Sequence, residues 1–344
     1  MSVLVTGGAG YIGSHAVQRL LRDGHRVVVL DNLYRGHRQA LRLLGLGTND
    51  RLKFVEGDLR GPTALTRVFR ATRFDTVMHF AALAYVGESV TEPIAYYEAN
   101  VSGLVHLLGH CAQYGVERFV FSSSCSTYGD PPPGMVPVPE ECPQNPVSPY
   151  GRTKLAGEWI IRDFAAARRR AGAEFAFAFL RYFNVCGCDH TGVLGEDHTP
   201  ESHLIPILML SALGKRDGVE IFGTDYPTPD GTCVRDYVHV EDLIGAHVLA
   251  MNTMKPGDEL AYNVGIGKGL SVREIIESAR RVTGAAIPVR EAPRRAGDAA
   301  MLFNNPARIR AELGWSASIN DIDTIVRTAW DWFRRNPDGY RRTR

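Results

Sequence analysis

A tyrosine and a lysine four residues apart are the side chains in this sequence best suited to proton transfer. They are Tyr150 and Lys154, which lie just after Ser148-Pro149. Residues four apart share one face of a helix, so the phenol and the ammonium can meet the same ligand. A phenol of pKa about 10 is a weak base at neutral pH, and a nearby ammonium favours its phenolate. Such a spacing also arises by chance, but lysine is scarce in this chain. We therefore predict Tyr150 as a base and Lys154 as its electrostatic partner.

A run of hydroxyl side chains precedes this pair. The run Ser122-Ser123-Ser124-Cys125-Ser126-Thr127 follows the apolar segment of a predicted strand. A hydroxyl at the carboxyl end of a strand can hydrogen-bond a substrate oxygen, whereas a plain polar turn would use the same residue types. We assign a role to Ser124 in preference to Ser126 or Thr127.

The start of the chain predicts a strand-turn-helix unit that binds a dinucleotide. Val3-Leu4-Val5-Thr6 reads as a buried strand and leads into Gly7-Gly8-Ala9-Gly10-Tyr11-Ile12-Gly13. Gly7 permits a tight turn, Gly10 lets the backbone approach a pyrophosphate, and Gly13 lets helix and sheet pack closely. The positive end of the following helix adds an anion site. The pattern predicts dinucleotide binding.

An acidic residue indicates which dinucleotide is bound. Asp31 ends the next predicted strand, Val27–Leu30, and lies 18 residues after Gly13. This is close to the spacing of the carboxylate that holds the adenosine ribose. Because a carboxylate repels a 2′-phosphate, we predict NAD rather than NADP, although Arg35 and Arg38 lie nearby.

Strand-like and helix-like segments alternate through the first half of the chain. Apolar strands between helices predict a doubly wound parallel sheet of the Rossmann type, covered on both faces. The predicted strands are Leu52–Glu56, Thr76–Phe80, Arg118–Ser122, Phe175–Leu180, Val219–Phe222 and Val234–Val240, the last returning toward the sheet. The predicted helices are Thr63–Ala71, Tyr96–Tyr114, Tyr150–Arg170 and His203–Gly214, with a mostly helical tail over Ser271–Asn336.

The alternation breaks after Asn184, which predicts a smaller, interleaved C-terminal lobe without a clean linker. We expect the NAD-binding Rossmann domain to comprise residues 1–183 with about 234–263. The second lobe would then comprise residues 184–233 and 264–344.

The overall composition excludes several classes of protein. The 344 residues are 44% hydrophobic with a formal net charge of +1, which gives no reason to expect a nucleic-acid or membrane partner. The chain opens with a strand rather than a signal peptide, and no apolar run approaches the length of a membrane span. Six cysteines form no disulfide pattern, and Cys186-Gly187-Cys188 is too tight for zinc, so we predict no metal and a cytoplasmic protein with reduced thiols.

Taken together, the glycine run, the serine run and the Tyr-Lys pair resemble the extended short-chain dehydrogenase/reductases. The chain is most similar to the UDP-glucose 4-epimerase (UDP-galactose 4-epimerase) family. The stretches that carry this resemblance span nearly the whole chain and include Val86-Gly87-Glu88-Ser89-Val90, Leu180-Arg181-Tyr182-Phe183-Asn184, Phe222-Gly223-Thr224-Asp225-Tyr226-Pro227-Thr228, Asp230–Val240 and Ala292–Asp298.

The resemblance implies a role for each matching residue. Tyr150 would be the base, Lys154 its partner and a ribose ligand, and Ser124 the donor to the sugar 4-oxygen. NAD would be held by Gly7, Gly10, Tyr11, Ile12, Gly13, Asp31, Asn32, Asp58, Leu59, Phe80, Ala81, Asn100, Ser122, Tyr150, Lys154 and Tyr182. The UDP-sugar would be held by Ser124, Asn184, His203, Leu204, Phe222, Arg235, Tyr237, Arg295, Asp298 and Leu302. Two arginines, Arg235 and Arg295, suit a pyrophosphate.

Three departures from the family pattern affect the expected contacts, the first to the cofactor and the other two to the substrate. Ala84 stands where some members carry a lysine near the cofactor pyrophosphate. Cys125-Ser126-Thr127 replaces a more usual Ala-Thr-Val and resembles pentose-type or alternative bacterial epimerases. Leu302 falls at the position that limits the 2-substituent of the sugar, where tyrosine closes the pocket and a small residue opens it.

The implied activity is reversible C4 epimerisation of UDP-glucose and UDP-galactose, through a 4-keto sugar and with tightly bound NAD. The substrate remains open to UDP-N-acetylhexosamine, UDP-xylose or UDP-arabinose, and UDP-glucuronate, the last also as a decarboxylase substrate. A 4,6-dehydratase would carry Asp-Glu where Cys125-Ser126 stand. A non-catalytic NAD-binding regulator would not need Ser124, Tyr150 and Lys154. The resemblance also implies a homodimer built on the helices Tyr96–Tyr114 and Tyr150–Arg170.

Overall fold

A seven-stranded parallel sheet covered by helices dominates the structure, a computed structural model that describes residues 1–295 and 297–340. The strands are β1 Ser2–Thr6, β2 Arg26–Asp31, β3 Leu52–Glu56, β4 Thr76–His79, β5 Arg118–Ser124, β6 Ala176–Tyr182, β7 Asn184–Cys186, β8 Val219–Phe222, β9 Val234–Arg235, β10 Tyr237–His239, β11 Glu259–Val264, β12 Leu270–Ser271, β13 Val289–Ala292 and β14 Met301–Leu302. The α-helices are α1 Tyr11–Arg22, α2 Arg38–Leu43, α3 Pro62–Ala71, α4 Val86–Thr91, α5 Pro93–Tyr97, α6 Gly103–Tyr114, α7 Pro149–Arg170, α8 Leu204–Ala212, α9 Val240–Thr253, α10 Val272–Thr283, α11 Ala307–Leu313 and α12 Ile322–Arg335.

The strand order of the large sheet is β11-β6-β5-β4-β1-β2-β3. The chain therefore winds outward from β1 in one direction and from β4 in the other, which is the doubly wound Rossmann arrangement. Ligands of such sheets bind at the carboxyl ends of the strands where the order reverses. The predicted fold class is confirmed.

The chain divides into two compact units. The first comprises Met1–Gly129, Gln144–Arg181 and Ile244–Tyr262, and the second comprises Asp130–Pro143, Tyr182–Leu243 and the chain from Asn263 onward. The boundaries differ from the expected ones, because residues 130–143, 182–183 and 234–243 group with the second unit. The first unit is built around buried aromatic and aliphatic side chains of the sheet such as Phe119, Phe121 and Phe177. The second has its own core, which includes Leu208, Ile275 and Trp332.

The expected strand Val234–Val240 is wrong. Its residues form two short strands of separate small sheets, β9 paired with β12 and β14, and β10 paired with β7, and helix α9 begins at Val240. Asp236 lies between the two strands, and its buried carboxylate accepts the backbone N–H groups of Ile266 and Gly267 at 2.8 and 2.9 Å. An aspartate that captures loop amides in this way interrupts a strand ladder.

The expected helix Tyr96–Tyr114 is interrupted by a π-helical segment, Glu98–Ser102, between α5 and α6. The expected helical tail is divided into α10, α11 and α12: strands β13 and β14 separate α10 from α11, and a loop separates α11 from α12. Within residues 1–295 and 297–340, none of the helices has the length and apolar character needed to cross a membrane.

Candidate active site

The turn after β1 is a glycine cradle that leads into α1. Gly7 has φ +72°, and a Cβ there would lie 2.5 Å from the Ala81 nitrogen. A Cβ on Gly13 would lie 2.1 Å from the Gly7 carbonyl oxygen, so both positions need glycine for packing. A Cβ on Gly10 would lie no closer than 3.4 Å to the Gly7 oxygen, and no side chain caps the N-terminus of α1. The cradle thus leaves the start of α1, with Tyr11 and Ile12, for an anion.

Asp31 ends β2 beside this cradle. Its carboxylate accepts the Ala9 N–H at 3.0 Å and the Leu33 N–H at 2.8 Å. Burial raises the pKa of the Asp31 carboxyl, and these two backbone bonds work against that shift. Because each carboxylate oxygen has more than one lone pair, Asp31 is held in place and can still accept ribose hydroxyls.

Asn32, Asp58 and Leu59 lie at the ends of β2 and β3. Asn32 donates to Asp58 at 2.8 Å, and Arg60 forms two parallel bonds to the same carboxylate at 2.9 and 2.8 Å. Hydrogen bonding by Arg60 holds the pKa of Asp58 well below its usual range. Leu59 is buried in the core, and its carbonyl oxygen lies 3.2 Å from His106 Nδ1.

Phe80 and Ala81 follow β4 at the point where the strand order reverses. Ala81 lies against Gly7, as described above, and the ring of Phe80 lies 5.1 Å from the ring of His247. Ser122 Oγ lies 3.4 Å from Nε2 of the same histidine. His247, a buried residue of α9, therefore contacts two predicted NAD residues, and the sequence offered no motif that identified it.

Asn100 lies in the π-helical segment. Its Oδ1 accepts the Leu83 N–H at 2.8 Å, and its Nδ2 donates to the Leu83 carbonyl and to Thr153 Oγ1, both at 3.0 Å. Single π-helical turns are rare and are found mostly at functional sites. Here the π turn carries an amide that fixes both the chain after β4 and helix α7.

Lys154 is fully enclosed and donates to the Ser122 carbonyl oxygen at 2.8 Å. Its Nζ lies 5.9 Å from the centre of the Tyr150 ring and 5.1 Å from that of Phe121. Burial lowers the pKa of the Lys154 ammonium to about 7. The structure thus joins the lysine to the carboxyl end of β5 and to its predicted partner tyrosine.

The start of α7 is seated tightly on the turn that follows β5. Ser148 caps the helix by accepting the Gly151 N–H at 3.1 Å, and Pro149 occupies its first turn. A Cβ on Gly151 would lie 2.5 Å from the Ser126 carbonyl oxygen, and a Cβ on Gly157 would lie 2.8 Å from the Phe121 ring. These two glycines, which the sequence analysis did not identify as site residues, set how closely Tyr150 approaches β5.

Ser124, the last residue of β5, is buried, and its Oγ accepts the Ser126 N–H at 3.1 Å. This bond orients the hydroxyl oxygen and leaves its proton available for an acceptor. Ser122, Ser124, Tyr150 and Lys154 are therefore brought together where β5 meets α7.

A buried ion pair fixes the same junction. Glu158 of α7 pairs with Arg181 of β6 through bonds of 2.6 and 2.9 Å, and it accepts the Ser123 hydroxyl at 2.6 Å. Arg181 also donates to the Tyr128 hydroxyl at 2.9 Å. Both charged side chains are almost fully enclosed. The sequence contains no signal for this network, because its partners are far apart in the chain.

In the second unit, Asp298 joins two arginines. Asp298 lies 3.6 Å from the Arg235 guanidinium and 3.2 Å from Nε of Arg295. The Arg295 guanidinium lies over the Phe222 ring, 4.4 Å from its centre. One carboxylate against two guanidiniums leaves a net charge of +1, which suits an anion.

Strand pairing places the other predicted substrate residues of this unit. Leu302 is in register with Arg235 in the β14–β9 pair, and Tyr237 is in register with Asn184 in the β10–β7 pair. Tyr237 is enclosed, and burial raises the pKa of its phenol. Tyr182 also groups with this unit, alone among the predicted NAD residues.

His203 and Leu204 stand at the N-terminus of α8. His203 Nδ1 lies 2.7 Å from Glu196 and 3.3 Å from Glu201. Burial disfavours the charged imidazole, but these two carboxylates outweigh it and raise the pKa of His203 to about 10. His203 is therefore engaged by two glutamates that the sequence analysis did not single out.

The residues of the first unit fit NAD. Ribose hydroxyls match the held carboxylate of Asp31, and a pyrophosphate matches the open helix terminus after a cradle that only glycine can form. The fit rests on Gly7, Gly13 and Asp31, whose geometry is given above.

Comparison with known proteins also identifies an NAD-dependent family. The model of the NAD dependent epimerase/dehydratase family matches residues 3–265. UDP-glucose 4-epimerase of Halalkalibacterium halodurans is 47% identical over 341 residues, covering 99% of this chain and 98% of that protein. Probable UDP-arabinose 4-epimerase 1 of Oryza sativa subsp. japonica is 46% identical over 344 residues, covering 98% of this chain and 80% of that protein. The crystal structure of UDP-glucose 4-epimerase from Bifidobacterium longum in complex with NAD+ and UDP superposes with a TM-score of 0.93 at 38% identity, covering 98% of this chain and 100% of that one.

Proposed function

The chain belongs to the NAD dependent epimerase/dehydratase family, and we propose that it interconverts UDP-glucose and UDP-galactose by inverting C4 of the sugar. It is an NAD-dependent epimerase, as are its relatives. The observation that carries the proposal is the cluster of Ser124, Tyr150 and Lys154 at the carboxyl end of β5, in the unit that holds the glycine cradle.

The residues of the first unit divide the proton chemistry among them. Asp31 and the glycine cradle would hold NAD, whose nicotinamide would supply a reversible hydride acceptor for C4 of the sugar. Tyr150 Oη takes the proton of the 4-hydroxyl and later returns it to the 4-oxygen. Lys154 Nζ supplies the positive charge that favours the phenolate, and Ser124 Oγ donates a hydrogen bond to the 4-oxygen. Asp31 and the cradle Gly7, Gly10 and Gly13 would retain the cofactor between turnovers.

The second unit would bind the UDP part of the substrate. The cluster of Arg235, Arg295 and Asp298 provides two guanidiniums for the diphosphate, and Asp298 keeps them in place before the ligand arrives. Binding energy from this non-reacting part of the substrate would hold UDP while the keto sugar turns to present its other face. We assign the remaining substrate contacts to Asn184, His203, Leu204, Phe222, Tyr237 and Leu302, and the remaining NAD contacts to Tyr11, Ile12, Asn32, Asp58, Leu59, Phe80, Ala81, Asn100, Ser122 and Tyr182.

A pentose substrate is the second candidate. The rice relative is named as a probable UDP-arabinose 4-epimerase, and Cys125-Ser126-Thr127 of this chain resembles the pentose-type sequence. Leu302, in register with Arg235, is intermediate in size at the position that limits the 2-substituent of the sugar, so it bears on N-acetylhexosamines rather than on pentoses. Both candidates use the same proton chemistry and differ only in the sugar accepted.

Incubation of the purified protein with UDP-galactose, UDP-N-acetylgalactosamine and UDP-xylose in turn, without added NAD, tests the proposal. We expect the C4 epimer of UDP-galactose, and the relative rates would rank the three sugars. Tyr150→Phe should retain its NAD content and lose about 10²–10⁴-fold in turnover, because proton transfer has lost its base. Absence of an epimer from all three substrates, even after NAD is supplied, would contradict the proposed reaction.

We further propose a homodimer and a cytoplasmic location in galactose metabolism. Helices α6 and α7 pack against each other and expose apolar side chains that include Val105 and Trp159. All six cysteines are buried free thiols, which suits a reducing compartment.

A further inference from the structure

Two histidines and two glutamates converge in the loop that precedes α8, within the second unit. They are Glu196, His198, Glu201 and His203, and each offers one donor atom. These four atoms all lie within 4.8 Å of one another. The sequence analysis predicted no metal, because the cysteines showed no ligand spacing.

The spacings between donor atoms fit a tetrahedral ion. Zinc bonds of about 2.0–2.1 Å place the ligand atoms of a tetrahedron about 3.3 Å apart. His198 Nδ1 lies 3.4 Å from Glu196 Oε1 and 3.6 Å from Glu201 Oε2, which are two edges of such a tetrahedron. One further edge, His203 to Glu196, is 2.7 Å and must open by about half an ångström to match.

The surroundings of the cluster hold the ligands in position. The side chains of Glu196 and Glu201 are buried, that of His198 is 13% exposed, and that of His203 is 45% exposed. Glu201 Oε1 accepts the N–H groups of Ser202 and His203, both at 2.8 Å, which leaves Oε2 directed toward His198. Carboxylates that bind metals are oriented in this way, by hydrogen bonds to the oxygen that does not face the ion.

We propose that Glu196, His198, Glu201 and His203 bind one divalent transition metal ion, with zinc as the occupant. Two imidazole nitrogens favour zinc over magnesium or calcium, which take oxygen ligands. Two carboxylates neutralise the charge of the ion. Four protein ligands close the coordination sphere, which is typical of a structural rather than a catalytic site. The ion would fix the loop 196–203 and thereby the first residues of α8, including Leu204. With the His203 side chain bound to the ion, the substrate contact proposed for His203 would come from its backbone.

Two alternatives compete with this assignment. In the first, the histidines are protonated and simply pair with the glutamates. In the second, zinc prefers the neighbouring cluster of Asp189, His190 and Glu241, which offers three donors and whose histidine is exposed. The experiment must distinguish both alternatives from a site at residues 196–203.

The test is a zinc titration of the NAD-loaded, full-length protein after treatment with a chelator. Calorimetry and elemental analysis should give one zinc ion per chain, with a Kd below about 1 µM. Loss of an outer-sphere partner alone lowers metal affinity about 10–100-fold, so the double variant His198→Gln/His203→Gln should lose more than about 100-fold. Zinc should also raise the melting temperature of the wild type and leave that of the double variant unchanged. His190→Gln is the matched control and should bind zinc as the wild type does.

A wild type that takes up no zinc under these conditions would show that the glutamates only pair with the imidazoles. Loss of zinc in His190→Gln with retention in the double variant would move the site to the other cluster. Either result overturns the proposal. The wild-type titration does not depend on whether the double variant folds. The NAD content and the circular dichroism spectrum of the double variant show directly whether it does.

Discussion

At the scale of single residues, Lys154 behaves differently from what its type suggests. A lysine on a helix usually reaches solvent, whereas this one is enclosed and donates to the Ser122 carbonyl oxygen. Taking an ammonium out of water disfavours its charged form, and the pKa falls to about 7. The burial that makes the ammonium costly to keep charged also lowers the local dielectric constant. The ammonium therefore interacts strongly with a negative charge that forms beside it, and this interaction stabilises a phenolate on Tyr150.

The low pKa of Lys154 makes the stability of the protein depend on pH. In the unfolded chain the ammonium titrates near its model value of 10.5, and in the folded protein near 7. Below pH 7 the lysine is charged in both states and the burial penalty is complete. Between about pH 7 and 10 the unfolded state binds more protons, so the free energy of unfolding should rise with pH by at most about 1.4 kcal/mol per unit.

Urea unfolding of the wild type and Lys154→Met, at the same saturating NAD concentration and at pH 7, 8 and 9, measures this effect. Methionine has no titrating group, so the difference in unfolding free energy between the two proteins should change with pH in favour of the wild type. Lys53→Met, which removes an exposed lysine of β3, should keep the wild-type dependence. A Lys154→Met difference that stays constant across this range would mean that Lys154 titrates normally in the folded protein.

Residue types and spacing were sufficient to predict which side chains meet at the end of β5, but not the state they adopt there. The four-residue spacing of Tyr150 and Lys154 and the serine run predicted the group that the structure brings together. The enclosure of Lys154 and the buried pair of Glu158 with Arg181 depend on contacts between α7, β5 and β6. Such contacts are fixed by packing between distant segments, which one sequence does not reveal.

At the scale of elements, glycines decide where α7 lies. Gly151 and Gly157 both face neighbours so close that a methyl group would overlap them. The neighbours are the Ser126 carbonyl oxygen, which is backbone, and the Phe121 ring, which is buried in the core. The first cannot move aside without displacing the turn that follows Ser124. The close approach of α7 to β5 therefore requires glycine at both positions along the helix.

Gly151→Ala should separate α7 from this turn. The added Cβ would lie 2.5 Å from a backbone oxygen, so we expect destabilisation of about 1–3 kcal/mol and a drop in kcat of at least about tenfold, since Tyr150 moves with the helix. The measurements are the melting temperature and steady-state kinetics with UDP-galactose.

The matched control is Gly87→Ala in α4, where a Cβ would meet nothing within 4 Å among the described residues. There we expect unchanged kinetics and a stability within about 0.5 kcal/mol of the wild type, or a gain of up to 1 kcal/mol from the better helix former. Equal effects of the two substitutions would show that the spacing between α7 and the turn is not the cause.

Elements that depend on local pattern were predicted well, and those that depend on a polar side chain were not. Strands β3 and β8 were predicted with their observed bounds. Val234–Val240 was predicted as one strand because it is rich in valine and tyrosine, but the buried carboxylate of Asp236 divides it. The π-helical turn at Asn100 has no periodic signature, because the amide bonds to Leu83 and Thr153 that accompany it are tertiary.

At the scale of the whole molecule, the alternation of apolar strands and helices was enough to predict the doubly wound sheet. Where the chain divides was harder to predict. Residues 130–143 follow β5 directly, yet they group with the second unit, where the Val138 N–H donates to the Phe303 carbonyl at 2.8 Å and its carbonyl accepts the Asn305 N–H at 2.9 Å. A proline-rich segment has few apolar residues to indicate which core it joins, so only the folded contacts decide its unit.

The proposed homodimer leads to a prediction about the surface of α6 and α7. Val105 and Trp159 expose 49% and 59% of their surface, and a large exposed apolar side chain such as tryptophan is typical of an interface. A charge buried there would be unpaired, so Trp159→Glu and Val105→Glu should each weaken dimerisation by about 2 kcal/mol or more, which is about 30-fold in Kd.

Leu43→Glu is the matched control, because Leu43 of α2 is equally exposed at 49% but lies on neither helix. Sedimentation equilibrium at micromolar concentration should show wild type and Leu43→Glu at twice the chain mass and the two interface variants shifted toward the monomer. A wild type that sediments as a monomer, or interface variants that match Leu43→Glu, would assign these apolar side chains to the free surface of the molecule instead.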